Sequence, residues 1–247
     1  MTAALRAEWL KLVTTRTFRG LLYSAAAVGV LAAFIGTAQG PPPWDVAEPL
    51  RTGTAWRMGV LTVIIVAVIV GSRTVTEEFT HHTIVHTFVA DPGRRQSMIA
   101  KALTAAGAAI LIAAVTATAI GASVYGLAAI TGGELAIFAS DAPAVLGLFV
   151  AAAALGAIGT GVGALVRQPV PAIVGALLWL FVAENLLSLL AGGAAGYLPG
   201  KLATALAGVP SGGAGSAPIT VAAAGMAAYA VLLAAVGMFD LRRRDVP

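Results

Sequence analysis

The sequence predicts an all-α, polytopic membrane protein, from its composition and from the length of its apolar runs. Hydrophobic residues account for 59% of the 247 residues and charged residues for only 11%, whereas about a quarter of residues are charged in soluble proteins. The mean hydropathy is +0.91. The apolar runs reach about 18 to 25 residues, enough for a helix rising ~1.5 Å per residue to cross a ~30 Å hydrocarbon core. The chain has no cysteine, which excludes disulfides and thiolate metal sites.

Six such runs divide the chain. We predict transmembrane spans near residues 20–38, 57–71, 102–130, 143–166, 170–191 and 218–239. Residues 1–19 precede the first span, and residues 20–247 form a single six-span transmembrane domain. In the loop before the last span, residues 197–210 have the composition of a short helix that could turn back toward the membrane.

The basic residues are distributed unequally between the two sides of this topology. If both termini are cytoplasmic, twelve of the fifteen Lys and Arg residues lie inside, and only Arg51, Arg57 and Lys201 lie outside. Cytoplasmic loops carry an excess of Lys and Arg, so we predict cytoplasmic N- and C-termini in a plasma or inner membrane. The excess of arginine over lysine, with abundant alanine, indicates a GC-rich bacterial genome. Because topology accounts for the basic residues, no nucleic-acid partner is expected.

Residues 1–19 have the pattern of an amphipathic helix. Leu5, Trp9, Leu12 and Val13 recur at i, i+4, i+7 and i+8, and the basic residues lie elsewhere on the helical wheel. We predict a helix in the membrane interface, with the tryptophan at headgroup depth. A secretory signal peptide is the alternative, but its apolar core of about 7–15 residues is shorter than the run that follows here.

A polar segment, residues 77–96, lies between the second and third spans. It combines carboxylates, histidines, an Asp-Pro-Gly turn and paired arginines, and we predict a short cytoplasmic helix before the chain re-enters the membrane. Glu78, His82 and His86 recur one helical turn apart, a spacing that could present three ligands to a divalent metal. Zinc sites require a closed set of three or four ligands with supporting hydrogen bonds, and nothing else in the sequence offers such a set convincingly. We therefore predict no metal and interpret the segment as a docking surface.

The chain resembles the permease (transmembrane) subunit of an ABC-2-type ABC transporter, the type V exporter class, at two motifs. Before the first span, the family's Glu-aromatic-x-Lys-Leu pattern with a following Thr or Ser and Arg is matched by Glu8, Trp9, Lys11, Leu12, Thr14 or Thr15, and Arg16. After the second span, its Glu-aromatic-x-His pattern is matched by Glu78, Phe79, His81, Thr83, Ile84, Thr87, Phe88, Pro92 and Arg94, with Lys101 entering the third span. His82 departs from the pattern, since glycine is usual there. Outside residues 8–16 and 77–101 the chain resembles the family in topology only.

This resemblance implies half of the translocation pathway of an ATP-driven exporter. A separate ABC ATPase, which holds ATP and Mg, would dock on a coupling helix in residues 77–96, and a second permease subunit, identical or related, would complete the pathway. The implied docking residues are Glu77, Glu78, His81, His82, Thr83, Ile84, Thr87, Phe88, Arg94 and Arg95, and the interfacial helix contributes Trp9, Lys11 and Arg16. The family exports drugs, lipids and peptides, so a hydrophobic or amphipathic substrate is expected. The chain lacks a Gly-x-x-x-x-Gly-Lys-Ser/Thr loop, so we expect it to be no enzyme and to bind no cofactor itself.

Glu184, followed by Asn185, lies in the middle of the fifth predicted span. A carboxylate at membrane depth is costly to bury unless it is paired, protonated or turned to the bundle interior, which makes it a functional-site hypothesis. It could bind a substrate cation or a proton, or the two side chains could form hydrogen bonds within the bundle. An ATP-independent secondary transporter using Glu184 is the alternative function, although the inverted repeats and interrupted helices of such proteins are not recognisable in the sequence.

Small residues recur on one face of the fourth predicted span. Gly156, Gly159 and Gly163 allow helix backbones to approach closely. The pattern is consistent with packing inside this bundle or against a second permease subunit.

Overall fold

The computed structural model describes residues 2–39, 53–81, 83, 95–131, 141–209 and 217–243. All regular structure in these ranges is helical, which confirms the all-α class. The helices are α1 (Thr2–Thr14), α2 (Arg16–Gln39), α3 (Thr54–Thr80), α4 (Arg95–Thr131), α5 (Asp141–Val166), α6 (Pro169–Leu178), α7 (Glu184–Ala191), α8 (Pro199–Leu206) and α9 (Ile219–Arg243). A π-helical turn (Trp179–Ala183) joins α6 to α7, and a 3₁₀ helix (Gly192–Tyr197) follows α7.

Within the described ranges, six helical stretches are long and apolar enough to cross a membrane, as predicted. They are α2, α3, α4, α5, the continuous stretch Pro169–Tyr197 and α9. The helices extend beyond the predicted spans, most of all at the polar turns between the second and third spans, where α3 continues through Thr80 and α4 begins at Arg95. Glu77 and Glu78 therefore belong to the last turns of α3. The polar end of α3 remains helical with the help of an ion pair between Arg73 and Glu77, four residues apart.

Long helices that follow one another in the chain run in opposite directions, so that contacts group at two ends of the bundle. At one end, called here the α1 end, the last turns of α3, α5 and α9 meet the first turn of α4 in an apolar cluster of Val75, Met98, Ala164 and Leu241. At the other, called the α8 end, the first turn of α3 meets the chain after α8. There the indole Nε1 of Trp56 donates a hydrogen bond of 2.8 Å to the carbonyl oxygen of Ala207.

The centre of the bundle is the contact of α5 with α3 and α4. A Cβ atom on Gly159 would lie 2.7 Å from the carbonyl oxygen of Val68, and one on Gly156 would lie 2.7 Å from that of Ala105. Gly163 is held equally closely against Ser72 of α3. Of the two interpretations of these glycines, the structure shows packing within this chain.

The outer helices are far less enclosed. Only 6% of the apolar window of Pro169–Tyr197 is buried, against 61% for α3. The windows of α2 and α9 are also mostly uncovered. These faces are available to lipid or to another membrane chain.

The N-terminal helix is separate from the first span and folds onto the bundle. Thr15 caps α2, because its hydroxyl accepts a hydrogen bond of 3.3 Å from the backbone N–H of Phe18. Trp9, Leu12 and Val13 pack against the cluster that includes Phe18. The apolar stripe predicted for α1 is therefore turned largely to neighbouring helices.

Candidate functional site

Four charged side chains from three helices meet at the α1 end. They are Glu8 and Lys11 of α1, Glu78 of α3 and Lys101 of α4, called here the four-charge cluster. Lys101 Nζ donates to Glu78 Oε1 at 2.6 Å and to Glu8 Oε2 at 3.0 Å. Lys11 Nζ donates to the same Glu78 oxygen at 2.6 Å and to Glu8 Oε1 at 3.3 Å. Two cations and two carboxylates thus alternate in a closed set of contacts.

The four members differ in burial. The side chain of Lys101 is 1% exposed and that of Glu78 is 5% exposed, whereas that of Lys11 is 54% exposed. Removing either partner of a buried ion pair leaves an uncompensated charge and destabilises the fold by about 3–5 kcal/mol. Solvent screens an exposed pair, so Lys11 contributes less. Within the cluster, the contact between Lys101 and Glu78 therefore contributes most to the stability of the fold.

The cluster also keeps Lys11 charged. Burial alone lowers the pKa of Lys11, but hydrogen bonding and charge attraction from Glu78, and then from Glu8, outweigh this and raise the pKa above its ordinary value. A lysine with a raised pKa stabilises the folded state throughout the range below its unfolded pKa. That contribution is lost only as the pH rises through the raised pKa, in strongly alkaline solution.

A second ion pair lies one turn earlier on α3. Arg73 Nε donates to Glu77 Oε1 at 2.7 Å, and its Nη2 contacts the same oxygen. Nη2 also donates to Thr17 Oγ1 of α2 at 3.3 Å. Both charged side chains are about one-third exposed, so solvent screens the pair. The contact holds the two side chains in position but contributes little to the stability of the fold.

The final turn of α3 is held from its other side by Arg167. Arg167 directly follows the last residue of α5. Its backbone is in the left-handed region, with φ 62°, and α6 begins two residues later at Pro169. Its guanidinium carbon lies 5.4 Å from the centroid of the Phe79 ring. Nη2 donates to Asp240 Oδ2 of α9 at 3.0 Å. Phe79 and Glu78, adjacent in sequence, are thus fastened to different neighbours.

The predicted docking residues have different surroundings. Glu77 and Glu78 lie in the last turns of α3, with Glu78 buried in the four-charge cluster, while His81, Thr83 and Arg95 are exposed. The remaining members of the set lie outside the described residues: His82, Ile84, Thr87, Phe88 and Arg94. Of the possible metal ligands His82 and His86, neither is in the described ranges, and within those ranges no group of three His, Asp or Glu residues could hold a metal. Glu78 is already engaged by two lysines.

Motif reasoning did not predict the four-charge cluster. It placed Glu8 and Lys101 within the resemblance but gave neither a partner. The available signal was a lone lysine, Lys101, entering an apolar run, since such a residue needs a carboxylate close by when buried. The contacts of Arg167 with Phe79 and Asp240 are revealed by the fold alone, because they depend on how α5 packs beside α3 and α9.

Glu184 belongs to a second polar site, near the α8 end. It begins α7 directly after the π-helical turn and is 1% exposed. Its Oε1 accepts a hydrogen bond of 2.9 Å from the backbone N–H of Gly200, in the first turn of α8. The carboxyl group therefore caps the start of α8, where backbone N–H groups lack partners within the helix.

Asn185 joins the same two helices on a more exposed side. Its Oδ1 accepts a hydrogen bond of 2.9 Å from Lys201 Nζ, and its Nδ2 donates to the carbonyl oxygen of Phe181 at 2.7 Å. Hydrogen bonding within the bundle, one of the roles considered for Glu184 and Asn185, is thus present for both. The short helix expected in residues 197–210 is α8, which packs back onto the bundle through Leu202 and Leu206.

Two cavities border this region. One of about 250 Å³ has Glu184, Asn185 and Lys201 in its wall, beside apolar residues of α3 and the fifth span. The other, about 370 Å³, is an almost wholly apolar cleft between α5, α6 and α9, with Trp179 and Tyr229 at its edge. Leu180 of the fifth span lines both cavities.

No protein-family model matches this chain, and no curated protein shows significant sequence similarity to it. Its class follows from composition and fold. It is an all-α polytopic membrane protein, with six long apolar helices in the part of the chain that the structure describes.

Proposed function

We propose that this chain is the permease subunit of an ATP-driven exporter, driven by a separate ABC ATPase that docks on residues 77–96. One observation carries the proposal. The two motifs that resemble ABC-2 permeases lie far apart in sequence, yet Glu8 and Lys11 of the first contact Glu78 and Lys101 of the second. Motif residues that meet in a buried ion-pair cluster are more informative than matches scattered over the fold.

The contacts suit a segment that transmits force. The chain between α3 and α4 leaves from Glu78 and Phe79, which are tied to α1, α4 and α5, and through Arg167 to α9. A partner that moves this segment would therefore shift several helix ends together. When two ATPase subunits close on ATP, their movement would be transmitted through this segment and would move the attached membrane helices as rigid bodies.

Orientation follows from the positions of the basic residues. Arg95, Lys101 and Arg167 belong to the α1 end, whereas Arg57 and Lys201 belong to the α8 end. The positive-inside rule then favours a cytoplasmic α1 end. The protein resides in a bacterial plasma or inner membrane. Both termini lie in the cytoplasm, and the docking segment faces the ATPase.

A second permease subunit, identical or related, completes the pathway. The thinly covered faces of α2, Pro169–Tyr197 and α9 leave room for it. Hydrophobic or amphipathic drugs, lipids or peptides are the substrates. ATP and Mg are bound by the partner ATPase, and this chain performs no catalysis.

One observation favours an ATP-independent secondary transporter as the second candidate. The fifth span is interrupted by a π-helical turn just before Glu184, and α8 folds back so that its first turn meets that carboxylate. Interrupted helices around a polar site are typical of secondary transporters. The dependence of transport on ATP or on an ion gradient separates the two candidates.

Purification from the native host tests the leading proposal. The tagged full chain should retain an ABC ATPase, and replacement of residues 84–94 by a Gly-Ser linker should abolish retention. The matched control replaces residues 132–140, which connect α4 to α5. This replacement should leave retention of the ATPase intact. Absence of an ABC ATPase, or its equal retention by both variants, would contradict the proposal.

A further inference from the structure

The exposed face of α2 changes in chemical character along the helix. Arg16, Arg19 and Tyr23 recur at i, i+3 and i+7, and Val30 and Phe34 continue the same face. All five side chains are exposed, Tyr23 at 73% and Phe34 at 51%. One side of this helix therefore carries two cations first, then a phenol, and then hydrocarbon.

The order of these groups follows the depth of one lipid leaflet. The predicted first span begins at residue 20, so Arg16 and Arg19 lie at its polar boundary. At ~1.5 Å per residue, Tyr23 lies about 5 Å and Val30 about 15 Å inside the hydrocarbon. The second depth is the middle of a ~30 Å core. A phospholipid has the same order, with its phosphate at the surface and its acyl chains extending to the bilayer centre.

The two arginines have no ion pair with any described residue. Every carboxylate that the structure describes at the α1 end already pairs with another cation of this chain: Glu8, Glu77, Glu78 and Asp240. A second copy of the chain would therefore bring no free carboxylate from these ranges to Arg16 and Arg19. A phosphate group from the membrane would supply the missing negative charge.

The position of the arginines also opposes the helix that carries them. Negative groups stabilise a helix N-terminus and positive groups destabilise it. The first turn of α2 nevertheless contains Arg16 and Arg19 and no acidic residue. An anion bound beside these side chains would offset both their mutual repulsion and their repulsion from the helix dipole.

We propose that this face of α2 binds an anionic phospholipid of the phosphatidylglycerol class. The phosphate accepts from the guanidinium groups of Arg16 and Arg19, which are close enough on the helix to contact one headgroup. The acyl chains lie along Tyr23 and Val30. Gly20 leaves the backbone open between them, since a Cβ there would meet nothing within 4 Å among the described residues.

A zwitterionic lipid should bind this face less tightly, because its ammonium group would lie next to the arginines. The inference depends neither on the docking of an ATPase nor on the side of the membrane that the α1 end faces. The uncovered faces of Pro169–Tyr197 and α9 remain for a second permease subunit.

Native mass spectrometry of the purified full chain tests the lipid preference. The protein is equilibrated with equal amounts of phosphatidylglycerol and phosphatidylcholine that have identical acyl chains. The attraction of one basic residue to an anionic membrane surface corresponds to about a fivefold change in affinity, so two residues correspond to about 25-fold. Equal retention of the two lipids would overturn the proposal.

Substitutions of the arginines locate the site. Arg16→Gln and Arg19→Gln should each lower the preference about fivefold, and the double variant should abolish it. The double variant Arg16→Lys with Arg19→Lys keeps both charges and should keep most of the preference. An unchanged preference in the double glutamine variant would exclude this face of α2.

Arg57→Gln is the matched control. Arg57 is the fourth residue of α3, as Arg19 is of α2, and it is exposed without an ion pair to any described residue. It lacks an open apolar face beside it, because 61% of the apolar window of α3 is buried, against 22% for α2. Arg57→Gln should keep the preference. A loss equal to that of Arg19→Gln would show that total charge, not this face, determines lipid binding.

Photo-cross-linking tests the position of the acyl chains. Phosphatidylglycerol with a diazirine in one acyl chain should label peptides of α2, and this labelling should fall in the double glutamine variant. Labelling of α2 by the matching phosphatidylcholine should be the same in both proteins. Equal labelling of the two proteins by phosphatidylglycerol would contradict the proposed contacts.

Two further measurements distinguish a lipid from other occupants. The double glutamine variant should have the same oligomeric mass as the wild type. Dissociation of a dimer in this variant would assign the face to a second subunit and overturn the lipid proposal. Inorganic phosphate at millimolar concentration should leave phosphatidylglycerol bound, and displacement would show that the acyl chains contribute nothing.

Discussion

Lys101 of α4 and Glu78 of α3 form an ion pair of 2.6 Å in which both side chains are almost completely buried. The pair joins the last turns of one membrane-spanning helix to the beginning of the next. Because Lys11 and Glu8 of α1 complete the cluster, a single set of contacts fixes the geometry from which the proposed docking segment begins.

Replacement of Lys101 by methionine should strongly destabilise the protein. The change leaves Glu78 with only the half-exposed Lys11 as its lysine partner in the cluster, and the loss of one member of a buried pair costs about 3–5 kcal/mol. Equilibrium unfolding in mixed micelles would measure it. The double variant Lys101→Met with Glu78→Met should recover much of the loss, because no buried charge then remains unpaired. A loss below about 1 kcal/mol for the single variant would contradict the assigned burial.

Replacement of Lys11 by methionine should have a smaller effect, at most about 1 kcal/mol, because solvent screens this exposed side of the cluster. The raised pKa of Lys11 keeps it charged below the strongly alkaline range. The difference in unfolding free energy between wild type and Lys11→Met should therefore stay constant from about pH 6 to 9. A difference that declines across this interval would show that another group controls the contact.

Two substitutions of Arg167 separate the effect of its backbone conformation on stability from the effect of its side-chain contacts. Its φ of 62° is costly for residues with a Cβ and ordinary for glycine. Arg167→Gly and Arg167→Ala both lose the contacts to Phe79 and Asp240, but the glycine variant should be more stable than the alanine variant by about 1 kcal/mol. Thermal unfolding of the two proteins in one detergent measures this difference. Equal stabilities would argue against a left-handed backbone at this turn.

The glycines between α5 and α3 should tolerate no side chain. A Cβ on Gly163 would lie 2.5 Å from the carbonyl oxygen of Ser72, so Gly163→Ala must push the two helices apart and lower the melting temperature. Gly121→Ala is the control, since a Cβ there meets nothing within 4 Å among the described residues. The control should be neutral or slightly stabilising, because alanine is the better helix former. A Gly163→Ala protein as stable as the control would exclude the close packing of α3 and α5.

Apolar runs were sufficient to predict the six spans, because burial in lipid depends on the summed hydrophobicity of about twenty residues. They could not fix the helix ends. α3 continues past its apolar window through Arg73 and Glu77, whose pairing supports polar turns. Nor could spacing predict that Lys101 meets Glu8, 93 residues away in sequence, since such contacts depend on how helices pack. The pairing of Glu184 with Gly200 was hidden for the same reason, because it requires α8 to fold back.

The docking of an ATPase at the chain between α3 and α4 is tested most directly by cross-linking from Thr83. The chain has no cysteine, so Thr83→Cys places a single thiol on an exposed residue of the docking segment. In membranes from the native host, a thiol-reactive cross-linker should join this position to an ABC ATPase, and Ser188→Cys, near the opposite end of the bundle, should give no such product. Labelling of Thr83→Cys by a membrane-impermeant reagent added outside intact cells, without cross-linking to an ATPase, would contradict the proposed function.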